Sequence, residues 1–290
     1  MIYTNNYNLP DAILKVIIKD NYKRGKDGYS VTELINSPRI VHLQRRYDAE
    51  LVEDAMDSIW SVFGSAVHHL METHASDGDF AEQRYYITHR ERTIGGMIDA
   101  YNHGTITDYK VTSAYSIVYK SKIKGWTEQL NLYGYILRQN GIEVNRLHIA
   151  AFLRDWDRNK ARAQADYPKT PFIVVPIELW SDEQCLEFID ERVMMLIACE
   201  TLSDEDLIEC TKEEMWVRDS TWAVMKEGRK SAVRLFSEED DAVCFMDQAQ
   251  DDKQYLVERK GQPTRCIDYC SCNSKCSIYQ DYLKEVNING

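Results

Sequence analysis

No run of 18 apolar residues occurs anywhere in the 290-residue chain, so the simplest mark of a membrane-spanning helix is missing. The opening stretch MIYTNNYNLPDAILKVIIKDNYKRGKDG also lacks the charged-then-apolar order of a secretory leader. A cytoplasmic location with no membrane partner is the expectation. There is no internal repeat and no low-complexity tract. Positive charge is in deficit, since 35 Lys and Arg stand against 47 Asp and Glu for a formal net charge of -12. That argues against a protein that coats nucleic acid, because backbone binding is mainly neutralisation of phosphates. Cysteine is absent before Cys185, yet Cys266, Cys270, Cys272 and Cys276 crowd together near the end. In a reducing compartment such crowding points to metal rather than to disulfides.

What is present suffices for a folded protein, with 44% hydrophobic residues to fill a core. The pattern predicts an N-terminal helix within residues 1–29, DAILKVIIKDNY, running into a turn at Gly25 and Gly28. A core follows over residues 30–200. It opens with two short helices in SVTELINSPRIVHLQRRY, with Thr32 capping the first and Ser37-Pro38 starting the second. A longer helix is expected from about Val52 to Thr73, and then the polar turn ASDGD. Three strands follow, EQRYYITHR, TIGGMIDAYN and GTITDYKVT, with Asn102-His103-Gly104 as a hairpin turn. A helix over Trp126–Arg138, strands at Asn145–Leu153 and Phe172–Glu178, and a capped helix from Ser181 complete the core. Residues 201–261 read as a small accessory unit whose later part runs strand, strand, helix, strand, and 262–290 as a Cys-rich tail packing back on the core.

Chemistry concentrates in the second and third strands. Asp108 and Lys110 are two apart on a strand and so point to the same face, with Asp99 in reach on the neighbouring strand. Two carboxylates at that separation suit a hard divalent cation, and an ammonium beside them can neutralise phosphate charge or position water. Taken alone, a D-x-K on a hairpin is as readily an ordinary surface feature. Its company matters: Gly64-x-x-x-His68 upstream and Gln129-x-x-x-Tyr133 downstream, the last two sharing a helix face.

From Ser30 to Leu153 these residues, in FGSAVHHLME, GGMIDAY, TDYKVTS and QLNLYGYIL, resemble the RecB-like exonuclease branch of the PD-(D/E)XK nucleases. Phage-encoded and CRISPR-associated members are the most similar. The resemblance implies an α/β (α+β) fold, a mixed central sheet flanked by helices in the order helix, three strands, helix, strand. It implies hydrolysis of DNA phosphodiester bonds with Mg2+ or Mn2+, in replication, recombination or repair. His68, Asp99, Asp108 and the backbone carbonyl of Tyr109 would hold the metal, Lys110 would be the catalytic lysine, and Gln129 and Tyr133 would support the site and touch substrate. Single-stranded DNA or DNA ends are the expected partner.

Relatives that carry a [4Fe-4S] cluster take one cysteine from the N-terminal region and three from the tail. Here Leu43 stands at the N-terminal place, so Cys272 is the candidate fourth ligand beside Cys266, Cys270 and Cys276. Iron-sulfur, zinc and free thiols all remain open, with paired C-x2-C knuckles absent. Cys185, Cys199 and Cys210 read as apolar fillers. A basic rim for DNA is sought in Lys120, Lys122 and Lys124, in Arg45 and Arg46, and in Arg158, Lys160 and Arg162. Trp156 heads this last group, in an excursion that forms either a DNA-bracketing arm or an unstructured loop. Two competing readings keep the fold: a nuclease subunit active only with a helicase or recombinase partner, and a catalytically idle scaffold.

Overall fold

The computed structural model describes residues 1–18, 28–74 and 80–288. It divides into two compact units, Met1–Leu207 and Ile208–Gly290. The first begins with strand β1 (Ile2–Thr4) and helix α1 (Asp11–Ile18). The end of the expected first helix and the turn at Gly25 fall outside the described residues, as does the ASDGD turn. Next come β2 (Gly28–Ser30), α2 (Val31–Leu34) and α3 (Pro38–Tyr47). The cap of α2 is Ser30 rather than Thr32. The Ser30 hydroxyl accepts from the Glu33 amide while Glu33 reaches back to the Ser30 amide, a reciprocal capping box.

Val52 does not start the long helix. Val52–Asp54 instead forms β3, paired in parallel with β1, and α4 runs from Ile59 to Thr73. The Asp54 carboxylate holds that corner by accepting from Thr4 Oγ1, Asn6 N and Met56 N, an arrangement incompatible with helix at this point.

Three long strands follow: β4 (Phe80–His89), β5 (Arg92–Asn102) and β6 (Thr105–Thr112). The turn between β5 and β6 has His103 at φ 41° and Gly104 at φ 80°, the left-handed pair that a two-residue hairpin requires. After them come α5 (Ala114–Val118), α6 (Ile123–Gln139), β7 (Arg146–Leu153), α7 (Arg158–Ala163), β8 (Phe172–Ile177) and α8 (Asp182–Cys199). The sheet order is β2-β5-β6-β7-β8 with β4 on β5; β2 joins β5 and β6 joins β7 in parallel, and the other pairs are antiparallel. This is a mixed α/β fold with a central mixed sheet flanked by helices. No helix among the described residues is long and apolar enough to cross a membrane.

Helix α6 packs on the sheet and on α8, burying Trp126, Leu130, Leu132, Tyr133, Ile136 and Leu137. Its Asn131 is fully buried, yet every polar atom of the side chain is used. Nδ2 donates to the carbonyls of Thr127 and Glu178, both at 2.9 Å, and Oδ1 accepts from Trp180 N at 2.7 Å. The excursion after β7 is neither an arm nor unstructured: it contains α7, capped by Asp157, and Trp156 packs against the core with its indole donating to the Pro168 carbonyl at 2.8 Å.

The second unit contains β9 (Thr221–Lys226), β10 (Arg234–Phe236), α9 (Glu239–Ala249) and β11 (Gln254–Arg259), an antiparallel β10-β9-β11 sheet under one helix. Helices α10 (Thr264–Asp268) and α11 (Ser277–Ile288) follow.

Replacing Asn131 by Leu removes the buried side-chain partner of the half-buried Trp180 amide and of the Glu178 carbonyl. Urea unfolding should show a loss of about 2–4 kcal/mol; a loss below about 0.5 kcal/mol would contradict this account of how α6 is tied to the segment entering α8.

Candidate active site

Strands β5 and β6 are paired only at the hairpin end, over Ala100–Asn102 and Thr105–Thr107, and then part. Asp99 is the first β5 residue beyond that ladder. Its Oδ2 accepts from the Tyr109 amide at 2.9 Å, so a side chain takes the place of the missing main-chain acceptor. Extending the β5–β6 register by one step sets Asp99 beside Asp108. On the other side, β4 pairs Ala81 with Ala100 and Gln83 with Ile98, which sets Glu82 opposite Asp99. Three carboxylates therefore occupy one row across β4, β5 and β6. Glu82 has φ 51°, a left-handed conformation that a glutamate within a strand seldom adopts and that recurs at functional sites.

His68, on α4, spans the row. Its Nδ1 is 3.0 Å from Glu82 Oε1, while Nε2 is 3.2 Å from the Tyr109 carbonyl and 3.6 Å from Asp99 Oδ2. One ligand atom each from His68, Glu82 and Asp99 lie within 4.8 Å of one another. Asp108 is almost wholly buried, and its Oδ2 is 2.7 Å from Lys110 Nζ without lying on the axis of any hydrogen bond. Gly64, one turn before His68, opens on free space, since a Cβ there would meet nothing within 4 Å.

Burial governs the electrostatics. It raises Asp99 to about 7, assisted by the charge of Asp108 and opposed by His68, Lys110 and the Tyr109 amide. Asp108 is raised for the same first reason, against the pull of Lys110. His68 is raised chiefly by its hydrogen bond to Glu82. The row thus gathers acidic groups whose ionisation burial makes costly, with His68 and Lys110 as the basic side chains facing them. An imidazole nitrogen, carboxylate oxygens and a carbonyl oxygen form a mainly hard donor set that suits Mg2+ or Mn2+. With Glu82 on Nδ1, His68 presents Nε2 to the Asp99 carboxylate and the Tyr109 carbonyl, the arrangement by which a carboxylate orients a ligating histidine.

Gln129 and Tyr133 meet each other, Nε2 to Oη at 2.9 Å. The Tyr133 ring lies where a Cβ on Gly96 would be, 2.8 Å from that point, so only glycine lets α6 come this close to β5.

The expected basic rim is partly reassigned. Arg45 pairs with Glu33 at 2.8 Å and covers the Tyr29 ring, and Arg46 binds Asp204 and the carbonyls of Cys199 and Leu202; both hold the fold together and offer no rim. Lys120, Lys124 and Arg158 are exposed. Lys122 donates to Thr112 Oγ1 at 3.2 Å; burial of its ammonium, with Arg154 and Lys110 nearby, lowers its pKa. Arg154 in turn lies 4.4 Å over the ring of Trp60, which is half exposed and 5.6 Å from the equally exposed Phe63. Neither Arg154 nor this aromatic pair stands out in the sequence, because only the fold carries the first turn of α4 to the end of β7.

No family model matches the chain. Nor does any curated protein. Among solved structures it is similar to SSO0001 (14% identity, 63% of this chain and 84% of the other, TM-score 0.43). It is also similar to a candidate exonuclease of Eubacterium rectale (12%, 61% and 68%, 0.30) and to a phage-related exonuclease of Haemophilus somnus 129PT (14%, 63% and 76%, 0.28). Likeness at this level assigns no activity, which has to be read from the site.

Because the native Asp99 value of about 7 lies above its ordinary 3.8, the metal-free protein gains stability from this group at low pH and loses it as pH rises through about 7. Two outcomes are expected in thermal melts. Mn2+ raises the melting temperature more at about pH 8 than at about pH 5, and Asp99→Asn raises that of the EDTA-treated protein at about pH 8 while blunting the Mn2+ response. A variant less stable than wild type in EDTA, with its Mn2+ response intact, would refute this reading of the cluster.

Proposed function

We propose that the chain is a metal-dependent deoxyribonuclease of the PD-(D/E)XK superfamily, RecB-like branch, hydrolysing phosphodiester bonds in single-stranded or end-containing DNA. Phage or prokaryotic replication, recombination or repair is the expected setting. The observation that carries the reading is the row Glu82, Asp99, Asp108 spanned by His68, with Lys110 on Asp108. Structural ion pairs do not need three carboxylates side by side with two of them raised by burial; a site that receives a divalent cation does.

His68 Nε2, Asp99, Asp108 and the Tyr109 carbonyl would hold the ion, with Glu82 fixing the imidazole through Nδ1 or joining the ligands. When bound, Mg2+ or Mn2+ supplies charge neutralisation at the phosphate and acidifies water. Lys110, held at 2.7 Å by Asp108, suits donation to a phosphoryl oxygen on which charge accumulates. The Gln129–Tyr133 pair, joined to each other on α6, would support the site from the helix side.

Substrate holding is assigned to Trp60, Phe63, Arg154 and Lys122. Aromatic faces beside cations suit unpaired bases and their backbone and carry little sequence preference. The formal charge of -12 favours one further reading, in which a helicase or recombinase partner delivers the DNA.

The test is cleavage of end-labelled linear and circular single-stranded DNA with Mn2+, Mg2+ or EDTA. Loss of the linear substrate alone identifies an exonuclease and its polarity, and loss of the circle as well identifies endonuclease action. Asp108→Ala and Lys110→Ala should each lower the rate by at least about 100-fold with the fold retained. Trp60→Ala should raise KM several-fold with kcat little changed. Full activity in Lys110→Ala would overturn the assignment, whereas inactivity of the wild-type chain alone, restored by a partner, would select the subunit reading.

A further inference from the structure

Near the start of the second unit a single helical turn ends on an unusual residue. Thr211 and Glu214 open the turn reciprocally: the Thr211 hydroxyl accepts from Glu214 N at 3.1 Å, and the Glu214 carboxylate accepts from Thr211 N at 2.8 Å. At its end Trp216 N donates to the Glu213 carbonyl at 3.0 Å and Val217 N to the Lys212 carbonyl at 2.9 Å, the paired bonds of a left-handed helix stop. Trp216 occupies the left-handed place itself, at φ 51°, where glycine is usual and a bulky side chain is strained. The strain is not repaid by burial, since Trp216 is 50% exposed. Its ring has Arg265 over it at 5.6 Å and Tyr269, exposed as well, at 5.3 Å. A strained, exposed tryptophan of this kind belongs with ligand clamps rather than with core packing.

Trp216 walls a groove of about 420 Å³ built wholly from the second unit. Gly261 brings the exit of β11 against residues 218–219: a Cβ there would fall 1.8 Å from the Arg218 carbonyl oxygen, so only glycine permits the approach. The two segments are then tied by Arg218 N, which donates to the Gln262 carbonyl at 3.3 Å, and by the bridge between Val217 and Pro263. Lys212, Arg218 and Lys260 stand around the groove, all exposed, and none of the three forms an ion pair among the described residues. In a chain with 47 acidic against 35 basic residues, three unpaired cations beside one tryptophan are not the expected surface. Glu213, Asp219 and Glu258 line the same groove, which therefore offers both signs of charge to a ligand.

We infer that this groove is a second nucleic-acid site, which holds single-stranded DNA with one base stacked on Trp216 and the flanking phosphates on Lys212, Arg218 and Lys260. Stacking requires a free base face, which an unpaired strand offers and a duplex hides. The carboxylates have a use toward a base, whose edge carries N–H donors, and none toward a phosphate. A protein partner or a second copy of this chain fits less well, because the centres of such interfaces are depleted in Lys, Glu and Asp, whereas here charged side chains of both signs surround the tryptophan. The choice of DNA as the strand rests on the nuclease reading. The groove itself lies in a different unit from the acidic row and uses none of its residues.

The test is anisotropy of a fluorescein-labelled DNA single strand of about 20 nucleotides, titrated with the full chain in EDTA so that nothing is cut. Trp216→Ala should weaken binding at least about fivefold, and Trp216→Phe should keep most of the affinity. Lys212→Glu with Lys260→Glu should weaken it by a similar factor and lower the slope of log affinity against log salt by about one, with the cleavage rate at saturating DNA unchanged. A strand carrying 5-iododeoxyuridine should cross-link under ultraviolet light to Trp216 or Tyr269. Should Trp216→Ala fail to fold by circular dichroism, the lysine variant and the cross-link decide, since neither alters a packed side chain. Affinity of the lysine variant within about twofold of wild type, an equal loss of affinity for a duplex of the same length, or cross-links confined to Met1–Leu207 would each overturn the inference. A chain that binds through Trp216 and cuts nothing with Mn2+ would refute the nuclease reading alone, and a chain that cuts DNA while the groove variants bind as wild type would refute this inference alone.

Discussion

The molecule turns on the place where β5 leaves β6. Up to Ala100 the two strands satisfy each other's main chains, and beyond it they part. At that point the Tyr109 amide takes the Asp99 side chain as acceptor, and the Tyr109 carbonyl turns toward His68. A half-buried amide and carbonyl are costly to leave unpaired, and here the Asp99 and His68 side chains take the place of the missing ladder partners. The consequence is two carboxylates raised by burial within reach of one histidine. In the reading proposed above, the splay that the fold must satisfy and the site that would receive a cation thus share one cause.

The surrounding elements serve that splay in identifiable ways. Helix α6 approaches because Gly96 has no Cβ to meet Tyr133, and it is fixed at its other side by the fully used Asn131. Helix α4 contributes His68 but buries none of its own residues completely, and its first turn keeps Trp60 and Phe63 half exposed beside Arg154. A helix that gives up burial while lending an oriented histidine and an aromatic face is better explained by a ligand surface than by core packing.

Much of this was legible from the order of residues alone. The mixed sheet and its helices follow from period-two and period-3.6 hydrophobic patterns, and the Asn102-His103-Gly104 turn fixes the pairing of β5 with β6, hence Asp99 beside Asp108. Glu82 was harder. Its partner is set by the turn between β4 and β5, and that turn is built from Arg90 at φ 45° and Glu91 at φ 59°, residues that announce no left-handed pair. Counted back from His89 opposite Arg92, the register runs straight to Glu82 opposite Asp99, so the signal was present but unreadable without the turn. Arg45 and Arg46 misled in the opposite direction. Adjacent arginines resemble a basic rim in one dimension, and only tertiary structure reveals Glu33, Asp204 and the carbonyl groups that consume them.

Arg154 was overlooked for a different reason. It is unremarkable among its sequence neighbours and gains chemical meaning only from the ring of Trp60, more than ninety residues away. Local pattern is therefore informative where neighbouring strands are joined by short turns, as across the acidic row. Where the chain closes a long loop, pairing energy resides in contacts that no spacing rule encodes, and cation-aromatic stacking becomes visible only in three dimensions. The acidic row is the clearest case, set by sheet register counted from the His89–Arg92 and Asn102–Thr105 ends of its two hairpins.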